Sequence, residues 1–173
     1  MKTSQCTEDK QRCVALFPGS FDPFTRGHES IVRRALPLFD EVVIAIGINI
    51  EKRGFMTVEQ RKRWIESVFA DEPRVRVVSY SGLTVDVAHE CGAHFLLRGV
   101  RMIQDFEAEM HMAEVNRQLS GIETVLLYTL PELSHVSSSI VRELFRYGQN
   151  VSHLLPQGGD FSIFQSIEIP RTQ

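Results

Sequence analysis

The sequence predicts an α/β fold: one Rossmann-like doubly wound domain with a five-stranded parallel sheet and helices on both faces. Three observations support this prediction. The chain has 173 residues, which favours a single domain. Short apolar runs typical of buried strands alternate with segments whose apolar residues recur at helical spacing. Repeated strand and helix units favour parallel strands joined by right-handed crossovers.

The first strand and the first helix enclose a turn rich in glycine and proline. An apolar run over residues 14–17 is the strand, and the helix is marked by Ile31, Val32, Ala35, Leu36 and Phe39. Pro37 lacks an amide proton, so this helix should kink or end early. The turn reads Phe17-Pro-Gly-Ser-Phe-Asp-Pro-Phe-Thr-Arg-Gly-His28. In an α/β protein, such a turn presents backbone amides and a helix N-terminus to an anionic ligand, so we expect a phosphate there.

The remaining elements repeat this alternation. Further strands are predicted at residues 42–48, 75–80, 95–97 and 124–128. Thr57 and Gln60 form a capping box that predicts the start of the second helix. The third helix begins near Thr84 and is ended by Gly92. Two more helices are predicted over residues 105–119 and from residue 138 to residue 148.

Both ends of the chain differ from this pattern. Residues 1–12 are polar and are predicted to be a disordered N-terminal tail. Residues 13–157 are predicted to form the domain. Residues 158–173 contain glycine and are weakly patterned, so we expect a loosely ordered C-terminal segment.

The composition excludes several classes of protein. With 43% hydrophobic and 24% charged residues the chain has a globular composition, and its net charge of −3 argues against nonspecific nucleic-acid binding. No apolar run approaches the roughly 20 residues of a membrane span, and the N-terminus is not that of a signal peptide. We therefore expect a cytoplasmic protein that acts without nucleic acid or membrane.

The cysteines and histidines do not predict a protein-held metal. Cys6, Cys13 and Cys91 match neither a disulfide framework nor a zinc motif. The 6 histidines show no H-E-x-x-H pattern. We expect no metal site built by the protein, and a metal carried by a phosphate ligand remains open.

Polar clusters follow all of the predicted strands. In strand order they are Gly19-Ser20 with His28, then Lys52, then residues 81–84, then Arg98 with Arg101, and finally residues 137–139. Because the carboxyl ends of parallel strands meet at one edge of the sheet, we expect these clusters to lie together. Taken singly, each has an ordinary explanation: His28 as a helix cap, Ser137 as an N-cap, and Lys52 as a solvated cation. Residues 61–63 are expected to be a solvated helix face.

The whole combination resembles the phosphopantetheine adenylyltransferases, within the nucleotidyltransferases that share a T/H-x-G-H motif. The matching residues are Pro18-Gly-Ser-Phe-Asp-Pro23, Thr25-Arg-Gly-His28, Lys52, Arg98-Gly-Val-Arg101, Asp105-Phe-Glu-Ala-Glu-Met110, Asn116-Arg117 and Val136-Ser-Ser-Ser139. They cover most of residues 14–156, in the order of the family. The sequence departs from the family pattern at Thr84, often a larger apolar residue, at Leu133, often Trp, and around Lys52, where Pro-Ser-Lys-Lys-Pro is absent.

The resemblance implies that the protein transfers the adenylyl group of ATP to 4′-phosphopantetheine, giving dephospho-coenzyme A and pyrophosphate. His28 would stabilise the transition state, and Lys52 and Arg101 would assist catalysis. The resemblance assigns Ser20, Lys52, Thr84 and Arg98 to 4′-phosphopantetheine. It assigns to ATP the residues Ser20, Phe21, His28, Gly99, Val100, Arg101, Glu109, Leu133, Ser134, His135, Val136, Ser137, Ser138 and Ser139. It also implies Mg²⁺ carried with ATP, coenzyme A as a feedback ligand, and a homohexamer built through helices near the sheet edge.

Several alternatives stay open on sequence. The nearest is another small nucleotidyltransferase that uses nicotinamide mononucleotide, or CTP with a phosphorylated alcohol. A noncatalytic nucleotide-binding module on the same fold is the alternative from a different class. An aminoacyl-tRNA synthetase is excluded by length. Dehydrogenases and P-loop kinases are disfavoured because neither G-x-G-x-x-G nor G-x-x-x-x-G-K-[ST] occurs.

Overall fold

The fold is a parallel sheet with helices on both faces, as predicted. The computed structural model describes residues 12–49 and 54–167. The sheet has 5 strands in the order β3-β2-β1-β4-β5, and all neighbouring strands are parallel. The strands are β1 Val14–Gly19, β2 Glu41–Gly47, β3 Val75–Tyr80, β4 Phe95–Val100 and β5 Glu123–Tyr128.

The helices fall where the sequence pattern places them, except a short sixth helix near the C-terminus, which was not predicted. They are α1 Arg26–Ala35, α2 Val58–Val68, α3 Thr84–Glu90, α4 Ile103–Ser120, α5 Ser138–Arg146 and the short α6 Ser162–Gln165. Single 3₁₀ turns occur at Pro131–Leu133 and Ser152–Leu154. Helix α1 ends before Pro37, as expected from the missing amide proton of proline. The predicted capping box begins α2: the Gln60 amide donates to Thr57 Oγ1 at 3.1 Å, and the Thr57 amide donates to Gln60 Oε1 at 2.8 Å.

Strand β4 is longer than the sequence pattern suggests. The apolar run ends at Leu97, but Arg98 pairs with Leu126 and Gly99 pairs with Leu127 of β5. Hydrogen bonding to the neighbouring strand therefore extends the element past the point where the hydrophobic signal stops. As a result, the Arg98 side chain projects from a paired strand rather than from a loop.

The core has two parts, one on each face of the sheet. Alternate strand residues face opposite sides, so Ala15 and Phe17 pack into one cluster and Val14 and Leu16 into the other. The larger cluster joins the sheet to α1, α2 and α5, and the smaller one joins it to α3. This arrangement confirms the prediction of helices on both faces. In the part of the chain that the structure describes, no helix is long and apolar enough to cross a membrane.

The predicted loose C-terminal segment is corrected for residues 158–167. Phe161 and Phe164 pack edge-on against Trp64, with ring centroids 5.4 and 5.0 Å away, and Phe164 is buried. A Cβ atom at Gly159 would lie 2.2 Å from the Trp64 ring, so glycine permits this close approach. Four helical residues are too few to show a periodic pattern, which is why the sequence reasoning missed this contact. Residues 1–11 of the predicted tail and the end of the chain at residues 168–173 lie outside the described residues.

Candidate active site at the carboxyl edge of the sheet

The candidate site lies where the strand order reverses. From β1 the chain runs outward to β2 and β3 on one side, and from β4 to β5 on the other. A crevice forms at such a switch point, beyond the carboxyl ends of the strands. It holds a pocket of about 560 Å³ between the β1–α1 turn, the end of β4 and the starts of α4 and α5. The strands on either side of this switch point are β1 and β4, and the polar clusters predicted to follow them line this pocket together.

The β1–α1 turn folds back on itself. Phe21 adopts a φ of 46°, in the left-handed region that few residues other than glycine favour. Its ring lies over Gly19, where an added Cβ atom would come within 2.8 Å of Phe21 Cζ. The glycine therefore makes room for the buried phenyl ring, and Ser20 between them lines the pocket.

A buried carboxylate and a buried guanidinium hold this turn to the neighbouring loop. Asp22 accepts the amide protons of Phe55 and Met56, each at 2.8 Å. Arg61 Nε lies 3.5 Å from the Asp22 carboxylate, and Arg61 Nη1 donates to the Ser20 carbonyl at 3.1 Å. Arg61 is only 8% exposed, so its prediction as part of a solvated helix face is wrong. The Asp22–Arg61 pair instead braces two loops at the edge of the pocket.

His28 is held by its own helix N-terminus and by aromatic rings. Its Nδ1 accepts the amide proton of Thr25 at 3.0 Å and lies 3.0 Å from the Thr25 hydroxyl. The Phe21 and Phe24 rings pack against the imidazole at centroid distances of 5.2 and 5.3 Å. Because Nδ1 accepts a hydrogen bond from the Thr25 amide, the neutral ring carries its proton on Nε2. This leaves Nε2–H as the hydrogen-bond donor for a ligand in the pocket.

The surroundings of His28 favour its neutral form. Burial, and to a smaller extent the positive charges of Arg101 and Arg98, lower the pKa of His28 to about 4. The imidazole is therefore uncharged at neutral pH. It donates a hydrogen bond without adding a charge to a site that already holds arginines.

The lowered pKa of His28 predicts an acid-sensitive stability. An unfolded chain binds the proton near pH 6.5, whereas the folded protein binds it only near pH 4. The contribution of neutral His28 is therefore complete above pH 6.5 and is lost as the pH falls towards 4. We expect the wild type to lose more unfolding free energy than His28→Gln over this range, measured by urea denaturation. Equal losses in the two proteins, or an NMR titration midpoint of His28 near 6.5, would contradict the assignment.

Two arginines at the end of β4 are paired with acids of α4. Arg98 donates from Nε and Nη2 to both carboxylate oxygens of Glu109, and from Nη1 to the Pro18 carbonyl at 2.8 Å. Arg101 donates from Nε to Asp105 at 3.0 Å. Burial tends to raise the pKa of Asp105, but the hydrogen bonds from the Arg101 side chain and backbone outweigh it and lower the pKa. All four side chains line the pocket.

The serines at the start of α5 have structural partners as well as a place in the pocket. Ser137 Oγ accepts the amide proton of Ile140 at 3.2 Å, which confirms its prediction as an N-cap. Ser138 Oγ donates to the Pro23 carbonyl at 2.8 Å. Together with Ser139 they bring a helix N-terminus to the pocket, opposite the arginines of β4.

The structure brings most of the predicted site residues together. The pocket is lined by the predicted residues Ser20, Phe21, His28, Arg98, Gly99, Arg101, Glu109, Val136, Ser137, Ser138 and Ser139. Val100 and Leu133 are buried in the protein, and Ser134 and His135 also lie outside the pocket lining. Thr84 begins α3, and its hydroxyl lies 2.9 Å from that of Tyr80. Contacts of these five residues with a ligand remain predictions.

Lys52 cannot be placed in the site. It lies outside the described residues, which stop at residue 49 and resume at residue 54. Its predicted contact with the acceptor phosphate therefore stays a prediction. The hydrogen bonds from the Phe55 and Met56 amides to Asp22 hold the described part of the loop that follows Lys52.

Arg142 is a pocket residue that the sequence reasoning missed. Its Nη1 donates to the Asp22 carbonyl at 2.7 Å and its Nη2 donates to Ser139 Oγ at 3.1 Å. Within the part of the chain that the structure describes, no carboxylate forms an ion pair with it. Its spacing in the sequence could have identified Arg142, because it follows Ser139 by one helical turn and so lies on the same face of α5.

The pocket can bind anions by charge and by amides. Within residues 12–49 and 54–167, no group of three or more His, Cys, Asp or Glu side chains could hold a metal ion. A neutral hydrogen-bond donor, three arginines and a helix N-terminus converge on one crevice. Such a site fits the binding of phosphate groups and the stabilisation of charge that develops on them.

The parallel fold and this anion-binding crevice define a nucleotidyltransferase. The pattern of the Cytidylyltransferase-like family matches residues 16–144. A phosphopantetheine adenylyltransferase of Flavobacterium johnsoniae is 55% identical over 142 residues, which are 82% of this chain and 93% of that protein. One from Phocaeicola vulgatus is 54% identical over 144 residues, 83% of this chain and 95% of that protein. The chain belongs to the phosphopantetheine adenylyltransferase family.

A more distant solved structure has the same fold. It is a bifunctional NMN adenylyltransferase/ADP ribose pyrophosphatase of Francisella tularensis complexed with AMP and a Mn ion. The TM-score is 0.66 at 16% identity, over 92% of this chain and 50% of that protein. This chain therefore spans half the length of that structure. At this identity the likeness concerns the fold alone.

Proposed function

We propose that the protein transfers the adenylyl group of ATP to 4′-phosphopantetheine, giving dephospho-coenzyme A and pyrophosphate. The observation that carries this proposal is the match to phosphopantetheine adenylyltransferases at 54–55% identity over more than nine-tenths of their length. The pocket supports it, because both reactants are anionic and the crevice gathers arginines, amides and a neutral donor. Fold alone would not distinguish this reaction from other nucleotidyl transfers.

The reaction needs positioning and charge stabilisation rather than a covalent intermediate. An oxygen of the acceptor phosphate attacks the α-phosphorus of ATP, and the bond from that phosphorus to the β-phosphate oxygen breaks. The electron pair of the broken bond leaves with pyrophosphate. Among the described residues, the hydroxyl that His28 contacts is that of Thr25, which is 0% exposed, so His28 does not activate a pocket hydroxyl as a nucleophile. Direct in-line attack is therefore the mechanism that fits these residues.

Each predicted site residue has a task in this proposal. His28 donates from Nε2 to the α-phosphate as charge grows on its oxygens. Arg98 and Lys52 hold the acceptor phosphate, and Arg101 assists at the triphosphate. Ser20, the Phe21 amide and the start of α5 complete the phosphate contacts. Mg²⁺ would be carried by ATP and would supply further positive charge at its phosphates.

Arg142 is proposed to hold the leaving pyrophosphate. It carries a positive charge that no carboxylate of the described chain pairs with, at the helix N-terminus that lines the pocket. We expect Arg142→Met to lower kcat by about 10- to 100-fold, since one charge-assisted contact is lost in the transition state. Arg146→Met, one turn further along α5 and exposed, is the control and should leave kcat unchanged. Steady-state kinetics with ATP would show the difference, and equal rates for both variants would remove Arg142 from the site.

The function is tested by pyrophosphate release with Mg²⁺ and ATP. Three reactions are compared, with 4′-phosphopantetheine, with nicotinamide mononucleotide and with no acceptor. Release that depends on 4′-phosphopantetheine supports the proposal. Release that requires nicotinamide mononucleotide would leave the fold and the role of His28 unchanged, but it would show that 4′-phosphopantetheine is not the acceptor. ATP binding without release in any reaction would favour a noncatalytic nucleotide-binding module.

The surface of α4 supports the proposed self-association. This 18-residue helix has no buried residue, and it exposes the apolar side chains Ile103, Phe106, Met110, Met112, Val115 and Leu119. Beside it, β5 is an edge strand, and a second pocket of about 520 Å³ lies between the two elements. The Thr124 hydroxyl there is buried with no hydrogen-bond partner among the described residues. A homo-oligomer that covers α4 explains these features, and we propose a homohexamer.

The oligomer is tested on the exposed face of α4. Val115→Glu places a charge among apolar side chains, so we expect a smaller particle by light scattering with sedimentation. Leu38→Glu is the control, because Leu38 is also exposed but lies after α1. It should leave the mass unchanged. An unaltered mass for Val115→Glu would show that α4 does not form the contact.

Two further parts of the proposal come from the family. Coenzyme A contains the pantetheine arm and an adenine nucleotide, so it fits the same pocket as a feedback ligand. Competition of coenzyme A against both substrates would support this. A cytoplasmic location is also proposed, since ATP is the substrate.

A further inference from the structure

Two acidic side chains of α4 neutralise two of the pocket arginines, Arg98 and Arg101. Asp105 and Glu109 are one helical turn apart, so both carboxylates lie on the same side of α4. One pairs with Arg101 and the other with Arg98. A substrate phosphate that approaches these arginines therefore meets carboxylates already in place.

The Arg98–Glu109 pair is the more enclosed of the two. The side chains are 33% and 16% exposed, against 38% and 26% for Arg101 and Asp105. Glu109 accepts hydrogen bonds from Nε and Nη2 along one edge of the Arg98 guanidinium, at 2.7 Å from Nε. The Pro18 carbonyl accepts a hydrogen bond from Nη1. That edge can bind a phosphate with two parallel hydrogen bonds. A phosphate that binds Arg98 in this way must displace Glu109.

We infer that Glu109 competes with the acceptor phosphate for Arg98, and that it regains Arg98 when adenylyl transfer lowers the charge of that phosphate. This inference rests on the proposed function. The acceptor phosphate is a dianion above its second pKa of about 6. After the transfer one of its oxygens bridges to the adenylyl group, so the same phosphate carries a single negative charge.

The change of charge reverses the competition during each turnover. The dianionic acceptor displaces Glu109, because two negative charges attract a guanidinium more strongly than one. The product phosphate, now monoanionic, holds Arg98 less well, and Glu109 returns to it. Glu109 thereby helps release the product without contacting the reacting phosphorus.

A simpler role for Glu109 would be to orient Arg98. The two roles predict opposite effects of Glu109→Gln, which keeps an oxygen acceptor for Arg98 but removes the charge. Competition predicts tighter binding of phosphates in this variant. Orientation predicts unchanged or weaker binding.

The test compares wild type, Glu109→Gln and Glu114→Gln by calorimetry. Glu114 is a matched control, because it forms a two-pronged pair with Arg117 on α4 but does not line the site. We expect Glu109→Gln to bind 4′-phosphopantetheine about tenfold more tightly, or about 1.4 kcal/mol. The gain for dephospho-coenzyme A should be smaller, and pantetheine without its phosphate should bind unchanged. Glu114→Gln should match the wild type.

Each outcome decides the inference. Equal or weaker binding of both phosphorylated ligands by Glu109→Gln would overturn it in favour of orientation. A gain that is larger for dephospho-coenzyme A than for 4′-phosphopantetheine would overturn the return of Glu109 to Arg98 in the product complex. Inorganic phosphate is the probe that does not depend on the pantetheine arm: tighter binding by Glu109→Gln supports competition even if the wild type fails to bind 4′-phosphopantetheine, and that failure would count against the proposed function alone. Unchanged phosphate binding would overturn competition.

Discussion

Replacing His28 with alanine is expected to lower kcat by about 10³-fold and to change the KM for ATP by only a few fold. The expectation comes from how the ring is held. Nδ1 is fixed by the Thr25 amide at 3.0 Å, and two phenyl rings pack against the imidazole, so Nε2–H points to one place. A fixed donor stabilises charge that appears in the transition state without reorganising. Binding of the ground state draws on the arginines, which the substitution leaves intact.

The His28 experiment has a conservative variant and a control. His28→Gln offers an amide donor at the same position of α1, so we expect it to recover part of the lost rate. His89→Ala removes an exposed histidine near the end of α3 and should keep full activity. Steady-state kinetics measured for the three variants and the wild type would separate kcat from KM. An unchanged kcat in His28→Ala would refute its role in catalysis.

The fold was predictable because its signals are local. Strand β3 and the start of α2 follow from a short apolar run and from the pair Thr57 and Gln60, each readable within a few residues. The position of the site follows from topology, since the turns after parallel strands meet at one edge. His28 and Arg98 were therefore placed together without any contact between them being visible in the sequence.

The contacts that hold the site were not predictable, because their partners are far apart in the chain. Arg61 looks like a solvated residue in a basic stretch, and only the fold shows that it meets Asp22, 39 positions earlier. The same holds for Phe161 and Phe164, which contact Trp64 although they lie far from it along the chain. Charge pattern and periodicity describe one element at a time, so they cannot show which polar residue another element will bury.

Breaking the Asp22–Arg61 brace is expected to cost about 3–5 kcal/mol of unfolding free energy. The Asp22 and Arg61 side chains are 12% and 10% exposed, so removing one partner leaves a buried charge with less compensation. In Arg61→Met, Asp22 keeps the amides of Phe55 and Met56, while the Ser20 carbonyl loses the Arg61 donor. Urea denaturation would measure the loss. Arg63→Met, on the exposed side of α2, is the control and should stay within about 0.5 kcal/mol of the wild type.

The brace should also affect catalysis, since Arg61 reaches the turn that carries Ser20. We expect kcat/KM of Arg61→Met to fall more than kcat/KM of a variant with equal stability loss in the smaller core cluster, such as Val43→Ala. A double-mutant cycle with Asp22→Ala separates the pair from its surroundings, and the two losses should not add. Additive losses would mean that the two side chains act independently. Equal kcat/KM in Arg61→Met and Val43→Ala would mean that the brace stabilises the domain without positioning the site.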